Sequence, residues 1–245
     1  MYSNILAYNG IMINKIQIEI CLGNIQDVAT LNKYPIDRIE LNCALELGGM
    51  TPSLNTLVKA KKISNKQIIA MCRCRGGDFC YSDEEYDVMF KDARLMLENG
   101  ADGIVFGFLN SDKTINTTKT KEMIELIHTY GKQAVFHKAF DELKDQDEGC
   151  RILSELKCDR ILTGGKAKYP DIIEGAKTIN ELHQKYRNIQ LLPGGGVRIE
   201  NIQEVVNTAN SGQVHMTAKK TYAGGYIGLD EPQLIKMLEK LEELS

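Results

Sequence analysis

Eight short runs rich in apolar and β-branched residues punctuate the chain, at 16–21, 38–41, 67–72, 103–106, 133–137, 160–163, 189–192 and 213–216. Stretches that read as helices stand between them, at 25–32, 54–64, 83–99, 119–130, 146–156, 171–186 and 199–208, and one more follows at 232–244. Strict alternation of this kind demands parallel strands joined by crossover helices, because a parallel partner cannot be reached through a tight turn. Eight such units in 245 residues match one closed (β/α)8 TIM barrel, an α/β fold that takes about 250 residues. Asp37-Arg38-Ile39, Asp102-Gly103-Ile104 and Asp159-Arg160-Ile161 open the second, fourth and sixth runs, a weak repeat about 60 residues long that fits quarters of a barrel. A doubly wound open sheet competes with this reading, yet no strand-to-helix turn carries G-x-G-x-x-G. The barrel is expected to span 15–245, with 1–14 as an N-terminal extension.

Helix boundaries are legible in places. Ser82 followed by Glu85 is a capping-box pattern at the start of 83–99, and Gly100 supplies the stop. The formal net charge of −3 gives no general attraction to nucleic acid or to an anionic membrane. Apolar stretches fall short of the ~18–20 residues of a membrane helix, and the first residues lack a basic region followed by a hydrophobic run. A cytoplasmic protein with no nucleic-acid and no membrane partner is therefore expected.

Barrel strands are ordinarily apolar on both faces, so polar residues in them need a reason. In Ile16-Gln17-Ile18-Glu19-Ile20-Cys21 the isoleucines share one face, which points Gln17, Glu19 and Cys21 into the barrel. Arg38-Ile39-Glu40-Leu41-Asn42 repeats the pattern with Glu40 and Asn42 inward, and the last run adds Gln213 and His215. Ion pairing of Glu19 and Glu40 with Arg38, Arg73 or Arg160 would account for part of this polarity.

The C-terminal ends of barrel strands carry the chemistry of the fold, and Arg73, Arg75, His137 and His215 fall there. His137 and His215 suit proton transfer near neutrality, with Glu19, Glu40 or Asp141 to orient them. Arg73 and Arg75 offer bidentate donors to a carboxylate or phosphate, and Lys138 and Lys219 add point charges. Gly194-Gly195-Gly196 follows strand seven, where backbone N–H groups cradle phosphate in many barrels. An enzyme or binding protein for a small phosphorylated or carboxylated molecule is one function this set allows. An inward arginine needs a partner, so Arg73 is expected on Glu19, on Glu40 or on a ligand's anion.

Several motifs occur in order: EIC at 19–21, RIEL at 38–41, GGMTPS at 48–53, RGGDFCYSD at 75–83, DGIVFG at 102–107, FHKAFD at 136–141, RILTGG at 160–165, PGGG at 193–196 and VHMTA at 214–218. Taken together they resemble the CutC family, known as copper homeostasis proteins, over nearly the whole chain. The resemblance implies the barrel, a cytoplasmic homodimer or higher homo-oligomer, and a part in copper handling, with Cu(I) as the bound ion. Within RILTGG, Thr163 joins Lys138, Lys219 and the three glycines as a ligand-binding candidate. Cysteines ending strands one and two are proposed copper ligands in the family. Cys21 matches the first, whereas Asn42 takes the second place and Cys43 follows one residue later, so Cys21 and Cys43 are the metal candidates. The chain also departs from the family at Cys74, where proline is usual, and at Lys138 and Lys219, where arginine is usual. Thiolates and thioethers suit Cu(I), and Met50, Met71, Met216, Cys72 and Cys74 add soft donors near the same strands. Two ligands stay open, a copper ion and a small anionic molecule.

Seven cysteines, odd in number and irregularly spaced, carry no disulfide framework for such a compartment. Thiol titration of the denatured protein, purified without reductant, should approach all seven; six locked in bridges would overturn the compartment as well.

Overall fold

The computed structural model describes all residues but 1–4, 9–10, 15, 168–170 and 245, with side-chain surroundings given from Ile16 onward. Strands β1 (Gln17–Leu22), β2 (Arg38–Leu41), β3 (Gln67–Met71), β4 (Gly103–Phe106), β5 (Gln133–Phe136), β6 (Arg160–Thr163), β7 (Gln190–Pro193) and β8 (Gln213–Met216) form one parallel sheet. Each pairs with the next as far as β7, and β8 returns to pair with β1, placing Glu19 opposite both His215 and Arg38. Among the described residues no ladder joins β7 to β8. The Gln213 side chain crosses that seam instead, donating through Nε2 to the Leu191 carbonyl at 3.2 Å.

The helices are α1 (Ile25–Leu31), α2 (Leu54–Ile63), α3 (Asp83–Glu98), α4 (Thr117–Thr129), α5 (Gln146–Glu155), α6 (Ile172–Lys185), α7 (Ile202–Ala209) and α8 (Glu231–Glu242). They follow the alternation read from the sequence, within a residue or two at most ends. In α3 the capping box is complete: Ser82 Oγ accepts from the Glu85 N–H, and the Ser82 N–H donates to Glu85 Oε2. None of the described helices is long and apolar enough to cross a membrane. All seven cysteines are free. Within the expected extension, Ile5–Tyr8 and Ile11–Asn14 pair as an antiparallel two-stranded sheet, and among the described residues it joins no barrel strand. A second such sheet, Lys219–Thr221 with Ile227–Leu229, stands between β8 and α8.

Two kinds of filling occupy the barrel interior. Ile69, Met71, Val105 and Val135, from β3 to β5, form an apolar cluster separate from the large core beneath the helices. Across from it β1, β2, β6 and β8 contribute a polar network. Arg38 donates to Glu19 at 2.8 Å, to Gln17 at 2.7 Å and to Gln213 at 2.8 Å. Arg160 donates to Gln190 and Gln133 and brings Nη1 to 3.8 Å from Glu19. Glu19, Arg38 and Arg160 are all at most 3% exposed. Truncating one member of a buried pair strands the other, which typically costs about 3–5 kcal/mol, whereas an exposed pair contributes about 0–1 kcal/mol. Denaturant unfolding should therefore place Glu19→Gln several kcal/mol below the parent, and Asp87→Asn, from the exposed Lys91–Asp87 pair, close to it. Equal small losses would mean that the network does not hold the barrel together.

Candidate functional site

A cavity of about 400 Å³ opens at the C-terminal ends of the strands, a size that admits a small molecule. One wall comes from β1, β2 and β8. Cys21, Glu40 and His215 each bring one donor atom there, and these atoms lie within 4.8 Å of one another. All three are inward by strand alternation, and Cys21 stands opposite Glu40 in the ladder. His215 Nδ1 lies 2.9 Å from Glu19 Oε1, so Nε2 is the nitrogen left for the cavity. Asn42 braces the other two donors, donating to Glu40 Oε2 at 2.8 Å and toward Cys21 Sγ at 3.4 Å. Glu40 Oε1 is buried with no hydrogen-bond partner.

The electrostatics of this wall follow from burial and charge. Burial alone would push the Glu19 carboxyl up, yet the hydrogen bond to His215 and the Arg38 and Arg160 cations pull it down to about 2. Burial would likewise lower His215, and Glu40 and Glu19 outweigh it, so its pKa is raised. Cys21 is held as a thiol, pushed well up by burial and then by the Glu40 carboxylate.

Strands β3 and β5 supply the second wall. Arg73, just past β3, is buried and stacks its guanidinium 4.8 Å from the centre of the Phe79 ring. It pairs with neither Glu19 nor Glu40. Its hydrogen bonds go to loop carbonyls instead, at 2.8 Å to Gly77 and at 3.4–3.5 Å to Leu47, Gly48 and Gly49. His137 accepts from the Ala139 N–H through Nδ1 at 3.1 Å, which places its proton on Nε2, and Nε2 is buried without a partner. Burial, and secondarily the Arg73 cation, hold the His137 pKa down to about 3, so the ring is neutral. The ring fits only because residue 107 is glycine; a Cβ there would meet it at 2.5 Å. Lys138 lies over Gly195, whose φ of +89° and missing Cβ make room for it, and Lys219, Arg198, Met71 and Met216 also line the cavity.

Other candidates fall elsewhere. Arg75 is not among the lining residues of the cavity and is bound to Asp78 in its own loop and to Glu85 in the first turn of α3. Asp141 orients neither histidine: it accepts from Thr163 Oγ1 and the Gly164 N–H and lies 3.3 Å from Lys138, so Asp141 and Thr163 shape the loop after β6. Gly195 and Gly196 line the cavity while Gly194 packs against Leu162 and His215. Cys43 does not meet Cys21; its thiol donates to the Thr51 carbonyl, and the one-residue offset leaves Asn42 facing Cys21. Phe79 and Arg198 went unread in the sequence. Both lie on loops, two residues beyond Gly77 and Gly196, where strand periodicity carries no signal.

A barrel with a small-molecule cavity ringed by inward ionisable and thiol groups is the class that this fold and site define. Residues 16–220 match the CutC family. A CutC family protein of Treponema denticola is 39% identical over 206 residues, 84% of this chain and 82% of that one. A copper homeostasis protein cutC homolog of Drosophila melanogaster is 35% identical over 86% of this chain and 81% of its own. The crystal structure of a copper homeostasis protein CutC of Streptococcus agalactiae superposes with a TM-score of 0.76 at 33% identity, over 82% of this chain and 97% of that chain. A phosphoribosyl anthranilate isomerase of Thermococcus kodakaraensis, 14% identical with a TM-score of 0.60 over 92% of this chain and 98% of that one, shares the fold. The chain belongs to the CutC family.

The depressed His137 pKa carries a signed consequence. Below its ordinary value of 6.5 the unfolded histidine takes a proton that the folded one refuses until about pH 3, so stability is lost as pH falls through that window. The unfolding free energy of His137→Phe minus that of the parent should grow from pH 6.5 toward pH 3. A difference that is flat across this range would place the proton-free ring in doubt.

Proposed function

We propose that this CutC family protein acts in cytoplasmic copper homeostasis and holds a copper ion directly, through Cys21 Sγ and His215 Nε2, with Glu40 as a third donor. The observation that carries the reading is the convergence of one donor atom each from Cys21, Glu40 and His215 within 4.8 Å of one another, with no N–H or O–H donor on the buried Glu40 Oε1 among the described residues, a set that a cation would satisfy. The donor chemistry supports it, since sulfur and imidazole suit copper and the Met71 and Met216 thioethers line the same cavity. So does the surrounding shell. Metal-binding histidines usually donate their other N–H to a carboxylate, the part Glu19 plays for His215, and Asn42 plays the matching part for Glu40. Relatives described as copper homeostasis proteins, in Streptococcus agalactiae and Drosophila melanogaster, agree in class.

On this reading the second-strand ligand expected at Cys43 is replaced by Glu40 and His215. The chain's own residues set the conditions of capture. Cys21 must give up a thiol proton that burial and Glu40 favour, and His215 must be free of its Nε2 proton while Glu19 keeps the ring oriented. Both requirements make capture release protons and strengthen with rising pH.

Anaerobic competition against a Cu(I) chelator tests the assignment. Cys21→Ser should abolish tight binding, Glu19→Gln should weaken it about 10–100-fold, as loss of an outer-shell partner does, and Cys43→Ser should leave it unchanged. Parental affinity should rise with pH. A Cys21→Ser protein that binds as tightly as the parent would remove the site.

A further inference from the structure

The wall formed by Arg73 and His137 takes no part in the copper reading, and its groups have a different need. His137 is 4% exposed and lines the cavity; its Nδ1 accepts from the Ala139 N–H, and Nε2, which carries the proton, is buried with no hydrogen-bond partner among the described residues. Arg73 is 6% exposed and meets no carboxylate among the described residues; carbonyl oxygens, the Phe79 ring and the neutral Tyr81 hydroxyl surround its guanidinium without neutralising it. Two buried donors on one wall, one charged and one neutral, call for an acceptor that bears negative charge.

The rest of the lining has the same bias. Arg73, Lys138, Arg198 and Lys219 all border the cavity, and Glu40, on the opposite wall, is the one carboxylate among the described lining residues. Gly195 leaves Lys138 room to lie over the loop after β7, with its ammonium at the cavity edge. A neutral histidine fits this setting well. It donates a hydrogen bond to an oxyanion without adding a second buried charge beside the arginine. Glu40 stands on the opposite wall with Cys21 and His215, and among the described residues no hydrogen bond or ion pair joins it to Arg73 or His137.

We infer that Arg73 and His137 form an oxyanion subsite, closed by Lys138 and Lys219, which binds the carboxylate or phosphate group of a small organic anion beside the Cys21–Glu40–His215 cluster. The cavity volume of about 400 Å³ limits the ligand to metabolite size. Arg73 is thus both tie and receptor: its Nη atoms fasten the loops at Leu47–Gly49 and Gly77, and its uncompensated charge faces the ligand.

Calorimetric titration of the metal-free protein with inorganic phosphate and, separately, with malonate tests the inference, and because no copper is present its outcome is independent of the metal assignment. The parent should bind at least one probe at millimolar concentration, and preference between them tells phosphate from carboxylate. His137→Phe, which keeps an aromatic ring against Phe79 but removes the donor, should bind about tenfold more weakly or worse. Lys138→Gln, a half-exposed change that spares the buried packing, should weaken binding as well and serves if His137→Phe fails to fold. Arg75→Lys, outside the cavity, should bind as the parent does. If neither anion binds the parent, or if His137→Phe and Lys138→Gln both bind as tightly as it does, the subsite does not exist.

Discussion

Glu19 is the residue on which the rest of the barrel interior depends. It sits at the join between β8 and β2, accepts from Arg38, faces Arg160 and orients His215, and Glu19, Arg38 and Arg160 are all buried. A lone buried carboxylate would be protonated or expelled; this one keeps its charge because two guanidiniums and an imidazole surround it. The network also supplies what the missing β7–β8 ladder does not. Gln213 ties Arg38 to the Leu191 carbonyl, so hydrogen bonds continue around the barrel floor across the seam. The apolar half, at Ile69, Met71, Val105 and Val135, then needs only ordinary packing.

That floor decides what the mouth can do. Glu19 fixes His215 by Nδ1, which leaves Nε2 beside Cys21 and Glu40, and Asn42 fixes those two from just past the end of β2. Opposite, His137 is fixed by the Ala139 N–H and by the room that Gly107 leaves. The two histidines are thereby driven apart in character. His215, between carboxylates, holds a proton more readily than a free imidazole, while His137, buried and beside Arg73, scarcely takes one. One cavity thus has a wall suited to a cation and a wall suited to an anion.

Much of this was legible in the sequence because strand alternation is a strong physical signal. Gln17, Glu19 and Cys21 could not all share a face with the isoleucines, and the same reasoning turned Glu40, Asn42, Gln213 and His215 inward. Partnerships were harder to read. Arg73 has a side chain long enough to reach either a carboxylate on β1 or the loops around it, and only the folded loops at Leu47–Gly49 and Gly77 decide the matter. Arg75 and Asp141 both lie near strand ends, but Arg75 bonds to Asp78 and to the first turn of α3, and Asp141 to the loop after β6, partnerships that strand periodicity does not encode. Cys43 shows the limit of motif transfer: one residue of offset places it on Thr51, and the position facing Cys21 falls to the buried Asn42.

X-ray absorption at the copper edge, on protein loaded with one equivalent of Cu(I) under anaerobic conditions, addresses the central claim most directly. A first shell containing a single sulfur and an imidazole nitrogen, with the imidazole scattering lost in His215→Ala, is the predicted result. A shell of two sulfurs without imidazole would instead place the ion on a pair of cysteines, and would contradict the assignment of Cys21, Glu40 and His215 as the metal-facing wall of the barrel.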